Sequence, residues 1–247
     1  MPSMSSISPD GRYILVTGAA KRIGHALALA FARAGWNIII HHGHSPDEAK
    51  ALKLQIEALG RTAAILQADL ADPAKASALV ECAFDIGKLY AIVNNAALFE
   101  DLDITTTSLP DWQRHLDVNL TAPFLLSQDF GRLLPADQKG RILNILDWRA
   151  LRPGADHLPY TVSKAALAGL TRSLAVALAP RISVNGLALG AVLPPADGGS
   201  AEKVLAYAPI PRWVELDEVC QAALFLVEGP ETITGEVIHV DGGRHLT

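Results

Sequence analysis

Short apolar runs alternate along the chain with longer stretches whose apolar positions recur every three or four residues. That alternation is the pattern of a parallel sheet with crossover helices on both faces. The first unit is the clearest. "YILVTG" is a buried-strand run, and Ile23, Ala26, Leu27, Ala30, Phe31 and Ala34 then mark one helical face before Gly35. The next unit pairs the strand "NIIIHH" with a helix that opens on Ser45, Pro46 and Glu48, the residues of a capping box, and closes at Gly60. Further strands fall at "TAAILQ", "YAIVNN", "RILNIL", "ISVNGL" and "EVIHV". Helices are predicted from Pro73, from Leu109 behind the cap Ser108, from near Tyr160 and from Glu215. In an open sheet of this kind ligands bind at the carboxyl ends of the strands, so the chemistry belongs in the strand-to-helix loops.

Composition adds scale. The chain has 247 residues, 50% apolar and 19% charged, which is enough for one full-sized core. One domain over 11–247 is expected, behind a mobile tail at 1–10. A net charge of −5 leaves no footprint for nucleic acid or an anionic membrane surface. No apolar run reaches the ~18 residues of a membrane span. Cys82 and Cys220 lack the spacing of a disulfide framework or zinc site, so a soluble, reduced cytoplasmic protein is expected.

"TGAAKRIG", residues 17–24, sits between a strand and an amphipathic helix. In that context Gly18 and Gly24 serve a tight turn and close helix packing, and backbone N–H groups face a pyrophosphate. An NAD site places an acid about 20 residues beyond the loop. Here the second strand ends in "HHGHS" instead. Arg22, His44 and Ser45 form a set able to hold a 2'-phosphate, which points to NADPH. The histidines lack a third ligand type at suitable spacing, so no metal is expected, and His41 and His42 are read as strand-end polarity.

Tyr160 and Lys164 are four residues apart on one helical face, where an ammonium beside the phenol lowers its pKa and makes it a proton donor. With "NNAA" at 94–97, Asn119 in "DVNLTAPF" and "YTVSK" at 160–164, the chain resembles the short-chain dehydrogenase/reductase family over 11–247. The resemblance implies a seven-stranded Rossmann sheet, an NADP-dependent oxidoreductase and a homotetramer. It makes Tyr160 the acid, gives Lys164 the nicotinamide ribose and gives Asn119 a relay water. Asn94 then shapes the floor of the site. The cofactor falls to Gly18, Lys21, Arg22, Ile23 and Gly24, with Asp69 and Leu70 flanking adenine. Asn95, Ala96 and Gly190 complete that set.

Two departures narrow the family. The serine usually thirteen residues before the tyrosine is Asp147, and the usual middle glycine of the loop is Arg22. With "HHGHS" and Phe99, these resemble the pteridine reductase branch. The C-terminal "DGGRHL" and the spacing of Asp147, Gly154 and Tyr160 resemble its bacterial dihydromonapterin reductases. Chemistry supports the branch independently. An ionised carboxylate only accepts hydrogen bonds and repels the alkoxide that forms when a ketone is reduced, whereas a pterin ring offers donors. The expected substrate set is therefore Arg22, Phe99, Asp147 and Tyr160, acting on a dihydropterin or dihydrofolate, with Phe99 or Trp148 stacked on the ring. Ala97 and Leu189 stand where this branch and the family have a serine and a proline. The rivals are a ketone or 3-oxoacyl reductase of the same fold and a non-catalytic NADP(H) sensor.

Overall fold

The central strands are apolar on both sides, so each must be covered twice. In β1 (Arg12–Val16), Ile14 and Val16 point into one core and Leu15 into the other; in β2 (Asn37–His42), Ile38 and Ile40 part from Ile39 in the same way. This period-two division of continuous apolar runs marks a parallel sheet buried on both faces. The computed structural model describes residues 9, 11–193, 205 and 208–247. Except for Pro9, the tail expected at 1–10 lies outside them.

The remaining strands are β3 (Ala63–Gln67), β4 (Lys88–Asn94), β5 (Gly140–Asp147), β6 (Ile182–Leu189) and β7 (Val237–Val240). They form one sheet in the order β3-β2-β1-β4-β5-β6-β7, with every pairing parallel. Helices α1 (Arg22–Arg33) and α2 (Pro46–Ala58) pack on one face with a helix over Leu216–Glu228. Helices α3 (Pro73–Ile86), α5 (Ala122–Leu133) and α6 (Leu158–Leu178) cover the other. The short α4 (Leu109–Leu116) precedes α5, and the helix over Leu216–Glu228 is α7. The chain runs outward from β1 to β3 and returns beside β1 as β4, so the order reverses between β1 and β4. The crevice of such a fold opens there.

Gly35 and Gly60 end α1 and α2 with φ of 104° and 74°, the left-handed turn that glycine adopts without a Cβ clash. Two local expectations need correction. Ser45 makes no side-chain cap on α2, and the Glu48 carboxylate, the other half of the expected box, lies 2.8 Å from Lys21 of the glycine loop. The helix predicted from Leu109 divides: its capping box, Ser108 with Asp111, holds α4, but a π turn over Asp117–Thr121 separates α4 from α5. Asn119 sits in that wider turn, and such bulges often mark functional positions.

Candidate active site

A cleft of about 1010 Å³ opens over the carboxyl ends of β1, β4, β5 and β6. Asp147 is the last residue of β5, and Tyr160 lies in the first turn of α6, which begins after His157 at φ 50°. That junction brings the two together: the Tyr160 hydroxyl donates to Asp147 Oδ2 at 3.0 Å. Asp147 Oδ1 accepts the Arg149 N–H at 2.9 Å, and the Arg149 guanidinium lies 3.9 Å away. Burial raises the Asp147 pKa above its ordinary value, and the Arg149 N–H and guanidinium oppose that rise.

Lys164 is buried beneath the pair. Its ammonium donates to the Ile145 carbonyl at 2.7 Å and lies 5.7 Å from the Tyr160 ring centroid, while burial lowers its pKa to about 8. The expected lowering of the Tyr160 pKa by Lys164 does not hold. Burial, and then the neighbouring Asp147 carboxylate, raise the phenol above its ordinary value.

Phe99 is 54% exposed beside this pair, stacked on His157 at 4.1 Å and edge-on to Tyr160 at 4.7 Å. Trp148 also lines the cleft, but the guanidiniums of Arg149 and Arg244 already lie 4.9 and 4.3 Å from its ring. Phe99 too has the Arg149 guanidinium 5.8 Å from its ring, but it is the more exposed of the two aromatics. Asn119 stands behind the cleft: its amide donates to the Leu98 carbonyl and to Ser163 Oγ, and its oxygen accepts the Leu98 N–H at 2.8 Å. Its side chain therefore braces the loop after β4 rather than facing the open space. Asn94 does likewise below the floor, donating to Asn144 at 2.8 Å.

Gly18, Lys21, Arg22, Ile23 and Gly24 line the same cleft as Tyr160 and Lys164. Arg22 takes φ 54°, a left-handed conformation in which a glycine is usual, and its side chain is exposed. The N-terminus of α1 has no side-chain cap and no acidic residue in its first turn, so its free N–H groups and positive dipole end suit an anion. Asn95 and Ala96 also line the cleft, and the Asn95 amide closes the loop by donating to the Thr17 and Gly18 carbonyls at 2.8 and 3.3 Å. Ala96 donates its N–H to Thr17 Oγ1 at 3.0 Å. Gly190 lines the cleft where any Cβ would come 2.6 Å from the Asp241 backbone. His44, Ser45, Asp69 and Leu70 follow β2 and β3 and do not line this cleft.

A Cβ at Gly24 would meet the Gly18 carbonyl oxygen at 2.3 Å and Asn95 Nδ2 at 2.6 Å, so Gly24→Ala must push the loop apart. Overpacking of this kind costs about 1–3 kcal/mol. Gly24→Ala is therefore expected to lower the thermal midpoint by roughly 2–4 °C for each kcal/mol lost, read by differential scanning fluorimetry.

Arg149, Asp156, His157 and Arg244 were given no site role from sequence. All four line the cleft, and Arg149 pairs with Asp156 at 3.1 Å. Of the four, Arg244 alone lay in a stretch quoted from the sequence, "DGGRHL".

Residues 18–245 match the family model described as Enoyl-(Acyl carrier protein) reductase, nearly the whole Rossmann unit and its cleft. The chain belongs to the short-chain dehydrogenase/reductase family. Members of this oxidoreductase family resemble the chain over almost all of their length. The 3-oxoacyl-[acyl-carrier-protein] reductase of Synechocystis sp. is 32% identical over 93% of this chain and 95% of its own. The structure of FolM alternative dihydrofolate reductase 1 from Brucella canis, complexed with NADP, is 39% identical with a TM-score of 0.88, covering 95% of this chain and 94% of its own. The FolM structure from Brucella suis, also with NADP, is 38% identical with the same TM-score, over 95% of both chains. Among the described residues no helix of this family member is long and apolar enough to cross a membrane.

Proposed function

We propose that the chain is an NADPH-dependent reductase of the C=N bond of a dihydropterin: dihydromonapterin, dihydrobiopterin or dihydrofolate. The observation that carries this reading is Asp147, an acceptor with both oxygens already engaged by donors, one of them the Tyr160 hydroxyl. Such a carboxylate suits the N–H and amino groups of a pterin and opposes an alkoxide. The FolM neighbours, named as dihydrofolate reductases, support the same reading.

NADPH, when bound, supplies the hydride. The uncapped first turn of α1 suits its pyrophosphate, and Arg22, next to a loop tied to α2 by Lys21 and Glu48, suits the 2'-phosphate. Tyr160, whose phenol burial and Asp147 hold toward the protonated form, holds the proton for the imine nitrogen. The Lys164 ammonium beneath it offsets the negative charge left on the phenol, and Asp147 holds the ring. Phe99 offers the stacking face.

The names of the curated relatives favour a second reading, a 3-oxoacyl reductase. One assay separates the two. NADPH oxidation is followed with the three dihydropterins and with an acetoacetyl thioester side by side, then repeated with NADH. Turnover of a dihydropterin and not the thioester, with NADPH preferred, is expected. Turnover of the thioester alone would overturn the pterin reading, and equal affinity for NADH would overturn the role of Arg22. A homotetramer is also proposed, supported by the exposed Leu109, Phe124 and Val176 on α4, α5 and α6; light scattering reads it directly.

A further inference from the structure

His41 was expected to be no more than polarity at the end of β2, yet its imidazole is 2% exposed and bonded at both nitrogens. Nδ1 lies 3.1 Å from the Gly18 nitrogen, and Nε2 lies 3.1 Å from the Ala68 carbonyl oxygen. An amide N–H can only donate and a carbonyl can only accept, so Nδ1 is bare and Nε2 carries the hydrogen. The surroundings thus fix one neutral tautomer. Burial keeps it neutral, lowering its pKa to about 4.

The two partners belong to different loops. Gly18 opens the glycine loop after β1, and Ala68 precedes Asp69 and Leu70 after β3. The backbone follows the same path: Ala19 N–H donates to the His41 carbonyl at 2.9 Å, and Ala68 N–H donates to the His42 carbonyl at 3.2 Å. β1 and β3 are not neighbours, since β2 lies between them, so no ladder bond sets one loop against the other. The ring of His41 supplies that link. It also occupies the Gly18 N–H, four residues before the uncapped first turn of α1.

We propose that His41 is a positioning residue for the dinucleotide, holding the loop that receives the pyrophosphate at a fixed distance from the loop that flanks the adenosine. The inference rests on the NADP(H) reading above. His41 acts through Gly18 and Ala68 and touches no reacting atom.

The test uses the whole chain and NADPH, with affinity read from nicotinamide fluorescence and turnover with whichever substrate the side-by-side assay identifies. Asn can place an acceptor where Nδ1 stands, Gln can place a donor where Nε2 stands, and Ala can do neither. His41→Ala is expected to raise the Kd and KM for NADPH about tenfold, with kcat within about twofold. His41→Asn is expected to restore most of that affinity, and His41→Gln to restore less, because the glycine loop is the closer of the two to the charge it holds. If wild type binds no NADPH, the NADP(H) reading itself fails. If wild type binds and all three variants match it, or all three lose only thermal stability at unchanged Kd, the positioning role is overturned. Should His41→Ala not fold, the order of the Asn and Gln variants decides.

Discussion

Tyr160→Phe is expected to leave NADPH affinity within about threefold of wild type and to lower kcat for dihydropterin reduction about a thousandfold, within the range for loss of a general acid. The substitution removes one oxygen and retains the ring against which Phe99 packs edge-on. Ring packing and cofactor geometry should therefore survive, and the loss should fall on kcat. It also strips Asp147 Oδ2 of the hydroxyl that donates to it at 3.0 Å. A buried carboxylate that loses a donor binds its proton more readily, so the residual activity should decline at a higher pH than in wild type. Single-turnover rates with saturating NADPH measure this. Retention of more than a tenth of wild-type kcat would mean that the proton comes from elsewhere, with Asp147 itself the first candidate.

Most of the fold was legible because it follows from periodicity alone. The runs "NIIIHH" and "YILVTG" could be placed as buried strands without any tertiary information, and α1 with its terminal Gly35 follows from one apolar stripe. What failed depended on competition between partners. Ser45 and Glu48 have the spacing of a capping box, but the Glu48 carboxylate pairs with Lys21 on another loop. The π turn at Asp117–Thr121 has no signature in spacing, because helical residues run on without a break on either side of it.

The site shows the same division. Asp147, Tyr160 and Lys164 were legible as residue types at fixed separations on one strand end and one helix. The direction of the Tyr160 pKa was not, because it depends first on burial of the phenol and then on Asp147 in hydrogen-bond contact, whereas Lys164 is turned to the Ile145 carbonyl. Sequence shows that both charges exist; only packing ranks them. Arg244 lies 97 residues beyond Asp147, and the fold alone brings it over Trp148.

Asp147→Ser is expected to change the substrate class. The serine hydroxyl can donate to a ketone oxygen, and it no longer repels an alkoxide beside Tyr160. Loss of a charge-assisted acceptor costs roughly 1.5–3 kcal/mol per bond, so kcat/KM on the best dihydropterin should fall at least tenfold and by up to several hundredfold. Activity on an acetoacetyl thioester should rise above the wild-type background. The pH profile gives an independent check. Because burial raises the Asp147 pKa, its ionised form is present above that raised value and lost as pH falls through it. Wild-type kcat/KM on a dihydropterin should thus decline on the acid side at a pH above the usual carboxylate range, since protonation turns an acceptor into a donor. Arg149→Met removes the guanidinium 3.9 Å away and keeps the backbone N–H bond, so its acid limb should move higher still. The acid limb due to Asp147 should be absent from the residual activity of Asp147→Ser. Dihydropterin kcat/KM unchanged in Asp147→Ser, with the same acid limb, would show that the carboxylate has no part in holding the ring and would leave the ketone reading as the better account of the cleft.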